Sequence, residues 1–401
     1  MDDAVAALLA HAQPVAGHEL LDTMAATGRV LAQDLRAPMN VPPHDNSAMD
    51  GYALNTADLV AGTALAVSQR IAAGQTGAVL QQGTVARIFT GAPVPHGADA
   101  VVMQEACELQ QDGAVLVRHR PQPGENIRRA GEDITSGTVL IDAGTLLTPM
   151  HLGLAASIGV AQVSVHRRVR VAMFSTGDEL RMPGEALEPG QIYNSNRFVL
   201  NNLLARMGCA VTDLGIVRDS LEATRTALRA AAVDHDLIMT CGGVSVGEED
   251  HVKPAVQAEG HLDLWSIAIK PGKPLAYGSV RRSDGAGSAH FVGLPGNPVS
   301  AFVTLLMVVR PFLRVLSGQP AHAEATGLRL RADFVWPKPD RRREFLRVHI
   351  NAAGGLDLYP NQGSGVLNSC AWADGLVDNP PAQPIAAGDL VRYLPYASLL
   401  A

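Results

Sequence analysis

Cysteine is scarce and scattered: the four residues Cys107, Cys209, Cys241 and Cys370 include no close pair. Structural zinc sites and disulfide frameworks need clustered spacing, so neither is expected, and buried free thiols in a reducing compartment are the reading. Positive charge is not in excess, with 32 Lys and Arg against 39 Asp and Glu for a net charge of −7. The surface as a whole therefore does not suit nucleic acid or an acidic membrane, although local basic clusters can still hold small anions. Long apolar runs are missing too. The richest, from Ala301 to Val309, falls short of the roughly 20 residues of a membrane helix and is followed by Arg310 and Arg314. The opening MDDAVAALLAHAQ lacks a basic segment followed by an apolar one. Together these absences predict a soluble, cytoplasmic chain with no nucleic-acid or membrane partner. Aromatics make up only 4% of the chain, and no internal repeat or low-complexity linker is visible.

Hydrophobic residues at 47% against 18% charged fit packed domains and argue against disorder. A length of 401 residues is too great for one ordinary core and predicts two to four domains. The 39 glycines and 25 prolines indicate many tight turns and short strands. Residues 3 to 11 and 18 to 27 carry apolar side chains at helical spacing. From about 36 to 125, short Val/Ile/Ala runs broken by Gly, Pro and Asn predict a β-rich domain. Residues 126 to 165 are mixed, with a helix expected to open at Pro149 as its first-turn proline. From about 167 to 315 fully apolar strands alternate with helices, including a long buried helix over NPVSAFVTLLMVVRPFLRVL. That rhythm predicts a mostly parallel sheet covered on both faces. The tail from about 316 reads as short strands without a clear helix, a small β-barrel or sandwich.

In an open parallel α/β sheet, ligands bind beyond the carboxyl ends of the strands. The loops expected there are STGDEL, RDS, CGGVSVGEED and GLPGNPVS. Gly242, Gly243 and Gly247 let the backbone approach a ligand, and Asn297 followed by Pro298 reads as the N-cap and first position of a helix. Either loop alone is more simply a tight turn; their conjunction points to an oxyanion or phosphate site. The same rim gathers Asp178, Glu179, Asp219, Glu248, Glu249 and Asp250. Carboxylates beside a phosphate site make sense with a cation between them, and Mg²⁺ bridges the two in this way. Asp219 is equally suited to capping a helix that opens at Ser220, with Glu222 completing a capping box, and the sequence leaves both open. In IKPGKPLAYG, Lys270 and Lys273 flank a Pro-Gly turn. Two like charges held close cost free energy unless an anion relieves them, so these lysines are expected to bind a ligand and not to hold a core together. Asp50 in DNSAMDGYA, Thr90 in IFTGAPVP, Arg343 and Arg347 on one face of REFLR, and Ser364 in QGSG are weaker single candidates.

Eight motifs, DNSAMDGYA, IFTGAPVP, GEDI, STGDEL, GQIYNSN, CGGVSVGEED, KPGKPLAYG and GLPGNPVS, stand in the order found in the molybdopterin molybdenumtransferases, which include the E domain of gephyrin. The chain resembles that family strongly from about residue 35 to 310 and more loosely to its end. The resemblance implies an α/β multidomain fold. A mixed helical and extended linker domain would comprise residues 1–35 and 126–165, with a β-rich domain inserted at 36–125. A molybdopterin-binding α/β domain at 166–315 and a C-terminal β-barrel at 316–401 would follow. It implies a homodimer whose cleft receives Asp50 and Thr90 from the partner. It also implies Mg²⁺-assisted insertion of molybdate into adenylyl-molybdopterin with release of AMP. Glu179, Asp219 and Asp250 would handle the metal, and with Asp50 and Thr90 form the catalytic set. Gly242, Gly243, Ser245, Pro295 and Asn297 would line the substrate pocket, and Lys270, Lys273, Arg347 and Ser364 would bind molybdate and phosphate. Two departures from the family pattern are Asn194, where Asp is more usual, and His251, where many relatives carry an aromatic residue. A separate molybdopterin adenylyltransferase, in transient contact, would perform the preceding step. Two other readings remain: an adenylyltransferase, which would need neither the inserted β-domain nor the C-terminal segment, and a scaffold that has lost catalysis.

Overall fold

Helix α1 (Asp2–Ala10) forms where apolar spacing predicts it and buries Val5 and Leu8. The helix expected over residues 18 to 27 does not form. His18–Asp22 is a strand paired with Gln162–His166, followed by a 3-10 turn at Thr23–Ala25. A partner strand far away in the chain overrides a weak local helical pattern there. The computed structural model describes residues 1–243, 251–272, 274–285, 287–321 and 327–400. Ser245, Gly247, Glu248, Glu249, Asp250 and Lys273, singled out above, lie outside the described residues. The chain divides into two compact units, one of Leu20–Thr27 with Gln33–Val163 and one of Met1–Glu19, Gly28–Ala32 and Ser164–Ala401.

The smaller unit contains the expected β-rich segment. Strands β1 (Gly51–Leu54), β2 (Ala66–Ile71), β3 (Thr84–Ile88) and β4 (Ala100–Met103) form a sheet in the order β2-β3-β1-β4. Successive side chains bury on opposite faces, Ala53, Ile88 and Val101 in one cluster and Leu54, Val85 and Val102 in another. Helix α2 (Pro149–Ser157) opens on Pro149 as predicted, with Thr148 as its N-cap.

In the larger unit, β5 (Arg170–Thr176), β6 (Ala210–Val217), β7 (Leu237–Cys241), β8 (Gly260–Ser266), β10 (Pro274–Arg281) and β11 (Ser288–Leu294) form a six-stranded sheet. The short strand β9 (Ile269–Lys270) leaves this sheet. The order is β6-β5-β7-β11-β10-β8, parallel across the first four strands and antiparallel across the last two pairs. Alternation along β5 sends Val171 and Met173 into one core and Ala172 and Phe174 into the other, so both faces are covered. Helices α3 (Ser195–Arg206), α4 (Leu221–Asp234) and α5 (Val252–Glu259) connect the strands. The long helix α6 (Pro298–Leu316) contains a π-helical turn at Leu305–Val309. By length and composition it could cross a bilayer, and its extent exceeds the apolar run judged from the sequence. Its apolar window is 89% buried inside the protein, so the composition is that of a core helix.

The C-terminal segment builds a second sheet from β12 (Leu328–Arg331), β13 (Arg343–Ile350), β14 (Leu356–Leu358), β15 (Gly375–Asn379) and β16 (Leu390–Pro395). Its order is β9-β13-β15-β16-β12, with β14 also on β13. Among the described residues no ladder joins β12 to β9, so no closed barrel is found. The edge strand β9 is two residues long and runs on toward β10 of the other sheet, leaving no length to wrap around. Two short helices, α7 (Leu367–Trp372) and α8 (Tyr396–Leu399), also correct the helix-free tail expected from the sequence.

Candidate functional site

A cleft of about 870 Å³ opens at the carboxyl ends of β5, β6, β7 and β11. Each of the four loops predicted to share a rim reaches it: Gly177 and Glu179 after β5, Asp219 after β6, Gly242 and Gly243 after β7, Pro295 and Asn297 after β11. Lys270 and Ser364 line the same cleft. Parallel strands point their loops to one edge of the sheet, and this is why positions far apart in sequence meet.

The glycines are required at this edge. Gly243 has φ +67, and a Cβ there would collide with the Val252 side chain; Gly242 has φ +92, and a Cβ would press on the Thr176 carbonyl. Opposite them Asn297 is the N-cap of α6 and Pro298 its first residue, as predicted. The helix end offers fewer donors than its position suggests. Pro298 has no N–H, and the Val299 N–H donates to the Ser364 carbonyl at 2.9 Å. Asn196, which sequence reasoning missed, ties the two loops together: its Nδ2 donates to the Gly296 carbonyl at 2.7 Å and lies 3.1 Å from Cys241 Sγ. Burial pushes the Cys241 thiol up to about 12, so it is held neutral. Asn194 is the N-cap of α3 and accepts from the Arg197 N–H. An amide serves that role as well as the more usual acid, without its charge.

Among the acids, Asp219 is not a cap. Ser220 takes that position, its hydroxyl accepting from the Ala223 N–H at 3.4 Å, and Glu222 pairs with Arg229 instead of closing a capping box. Asp219 Oδ1 is buried and has no hydrogen-bond partner among the described residues. A carboxylate oxygen taken from water without a donor is costly unless a cation or ligand completes it. Glu179 lines the cleft from the neighbouring strand end. Among the described residues there is no group of three His, Cys, Asp or Glu side chains placed to hold a metal. Two carboxylates suit Mg²⁺ all the same, because it keeps several waters and takes substrate phosphate oxygens as further ligands.

The cations behave differently from the expectation. Lys270 is not an unrelieved charge: its Nζ lies 3.2 Å from Glu344 Oε1 and 3.5 Å from Asp340 Oδ2. Strand β9 pairs with β13 and sets Lys270 opposite Glu344, a register that no local motif announces. Arg347 is a buried cation of this region without an ion pair among the described residues. Its side chain is 1% exposed, donating to Ser369 Oγ at 3.1 Å, the Phe345 carbonyl at 3.1 Å and the Gly363 carbonyl at 3.2 Å. Among the described residues no carboxylate lies within ion-pair distance of it. Burial lowers its pKa. It lines a chamber of about 280 Å³ that shares Lys270, Pro271, Gln362 and Gly363 with the main cleft. Arg343, four residues earlier, forms a bidentate pair with Asp378 at 2.6 and 2.7 Å. Gln362 clasps β13 by accepting from the Arg347 N–H and donating to its carbonyl, which carries the QGSG segment to the cleft. Arg342, also missed from the sequence, lines the cleft and grips Asp340.

Asp50 and Thr90 belong to the smaller unit, where they are partners. Asp50 Oδ1 accepts from the Thr90 N–H at 2.7 Å and from its hydroxyl at 2.8 Å.

With that geometry in hand, comparison with known proteins is direct. The MoeA N-terminal region (domain I and II) matches residues 1–159, a probable molybdopterin binding domain matches 172–315, and the MoeA C-terminal region (domain IV) matches 329–396. A molybdopterin molybdenumtransferase of Haemophilus influenzae is 39% identical over 391 residues, covering 95% of each chain. Molybdopterin molybdenumtransferase 2 of Mycobacterium tuberculosis is 39% identical over 381 residues, covering 90% of this chain and 91% of that one. A crystal structure of a molybdopterin biosynthesis MoeA protein from Pyrococcus horikosii superposes with a TM-score of 0.82 at 28% identity, covering 98% of each chain. Three family regions in series and full-length relatives leave one conclusion: the chain belongs to the MoeA family, the molybdopterin molybdenumtransferases.

Proposed function

We propose that this protein inserts molybdenum from molybdate into adenylyl-molybdopterin with Mg²⁺ assistance, releasing AMP. The observation that carries the reading is a chamber lined by both the buried Arg347 and Lys270, which shares its walls with the cleft that Asp219 lines. A planar fork of donors with no internal counterion suits a tetrahedral dianion, and Lys270 supplies a second cationic donor at the chamber mouth. Ser364, and Lys273 by the family resemblance, join this oxyanion group. Gly242, Gly243, Pro295 and Asn297, with Ser245 by the family resemblance, receive the phosphorylated substrate by letting it approach the backbone closely.

Glu179, Asp219 and Asp250 would hold Mg²⁺, and the orphaned Asp219 oxygen is the observation that fits it. When bound, the ion would offset negative charge on the phosphoanhydride oxygens. The chain's own residues orient the substrate: the glycine turn limits where the phosphates sit, and the lysine and arginine set where the oxyanion waits. A homodimer belongs to the same reading, with the partner subunit's Asp50 and Thr90 completing the cleft. So do a cytoplasmic location and a separate adenylyltransferase that supplies the substrate.

The test is AMP release from adenylyl-molybdopterin by the purified protein. Release that requires both molybdate and Mg²⁺ is expected. Formation of adenylyl-molybdopterin from molybdopterin and Mg-ATP would instead identify an adenylyltransferase, and failure in both assays would leave a binding protein.

A further inference from the structure

We propose that Glu344 is a positioning residue for the oxyanion, acting through Lys270. Glu344 has no solvent exposure, and the only cation within ion-pair distance of it among the described residues is Lys270, 3.2 Å away. Its second oxygen accepts from the Trp336 indole N–H at 2.8 Å and lies 3.4 Å from Asn379 Nδ2. The carboxylate is thus clamped from behind by groups of the C-terminal sheet and cannot follow the lysine if it moves. A buried charge strongly prefers its counterion in place, so the lysine is drawn to one spot.

An ammonium group has three N–H bonds. On Lys270 the Nζ lies 3.2 Å from Glu344 Oε1 and 3.5 Å from Asp340 Oδ2, the latter carboxylate itself held by both branches of Arg342. The pairing is ionic, with Glu344 Oε1 accepting no hydrogen bond among the described residues, so the ammonium is held in place while its N–H bonds stay available to a ligand. Lys270 is 37% exposed and lines both the main cleft and the Arg347 chamber, so its ammonium stands where a ligand in either cavity can reach it. Without Glu344 the flexible four-carbon stem would spread over several rotamers, and binding an oxyanion would first have to order it.

The inference rests on the reading of Lys270 as an oxyanion ligand, and a double-mutant cycle separates the two. Molybdate binding to the full-length protein would be measured by calorimetry, with AMP binding as the control. Glu344→Gln is expected to weaken molybdate about tenfold, to leave AMP affinity unchanged, and to have less than about a twofold effect in the Lys270→Ala background. Equal effects in both backgrounds, an equal loss of AMP affinity, or tighter molybdate binding would each overturn it, the last by showing Glu344 to be a repelling charge only. If Lys270→Ala itself leaves molybdate affinity intact, the oxyanion reading of Lys270 falls and this inference with it. A loss in Lys270→Ala but none in Glu344→Gln sinks the inference alone. Should Glu344→Gln not fold, Trp336→Phe removes the indole donor and keeps the ring. It is expected to weaken molybdate about threefold, again only when Lys270 is present, and no change would reject the proposal.

Discussion

Asp50 Oδ1 accepts both the backbone N–H and the hydroxyl of Thr90, at 2.7 and 2.8 Å. The two motifs lie 40 residues apart in sequence and are fastened at strand ends of one sheet. The Thr90 N–H, then its hydroxyl, hold the Asp50 carboxyl below its ordinary value of 3.8, with Arg87 adding a smaller pull. A depressed folded pKa contributes stability above the unfolded value and loses it as pH falls through the folded value. Thr90→Val should therefore raise the Asp50 titration midpoint in carboxyl-detected NMR and bring acid loosening of this loop to higher pH. An unmoved midpoint would mean the hydroxyl contributes nothing.

Asp219 gives a cleaner separation of activity from stability. Because its buried Oδ1 has no donor to lose among the described residues, Asp219→Ala should change unfolding free energy by less than about 1 kcal/mol. AMP release should fall by about 10²-fold or more, and any Mg²⁺-dependent rise in melting temperature should shrink. Normal turnover in the variant would reject the metal-handling role.

Arg347→Lys keeps the charge and removes the fork. The Phe345 and Gly363 carbonyls would lose donors, a cost of about 1–3 kcal/mol, measurable by urea unfolding. Molybdate affinity should drop about tenfold or more, because an ammonium cannot reproduce the planar pair of donors. Retained affinity in a destabilised variant would make Arg347 a structural residue.

Asp236, remote from the cleft, contributes to stability in a pH-dependent way. Burial raises the pKa of Asp236, but the bidentate Arg167 pair at 2.7 Å and the Arg170 N–H at 2.8 Å outweigh it and leave the carboxyl lowered. Its contribution is present above the unfolded pKa and disappears as pH falls through the folded one. Asp236→Asn should cost about 3 kcal/mol at neutral pH, since Arg167 is left partly buried without its partner. The difference between variant and parent should vanish in acid; a constant difference down to low pH would refute the assignment.

Much of the cleft was legible in the sequence for a physical reason: its parts are local. Gly242, Gly243, Asn297 and Pro298 act through backbone conformation and helix initiation, which a few neighbouring residues dictate. Alternation of apolar strands and helices announced a parallel sheet, and a parallel sheet puts its loops on one edge. The strand at His18–Asp22 was misread because a short amphipathic pattern is weaker than pairing with a distant strand. The C-terminal segment showed its strands but not whether they close, since closure depends on which edges find each other.

Chemistry and order of elements were thus set by the chain alone: which loops carry glycine, acid and lysine, and where helices begin. Charge balance was decided only by the tertiary fold. Lys270 and Lys273 read as charges in need of an anion, yet strand pairing sets Glu344 against Lys270 and leaves Arg347, which sequence could rank only as a weak candidate, buried with no carboxylate in ion-pair distance among the described residues. Electrostatic energy depends on distance and burial, and neither exists until segments remote in sequence have packed together.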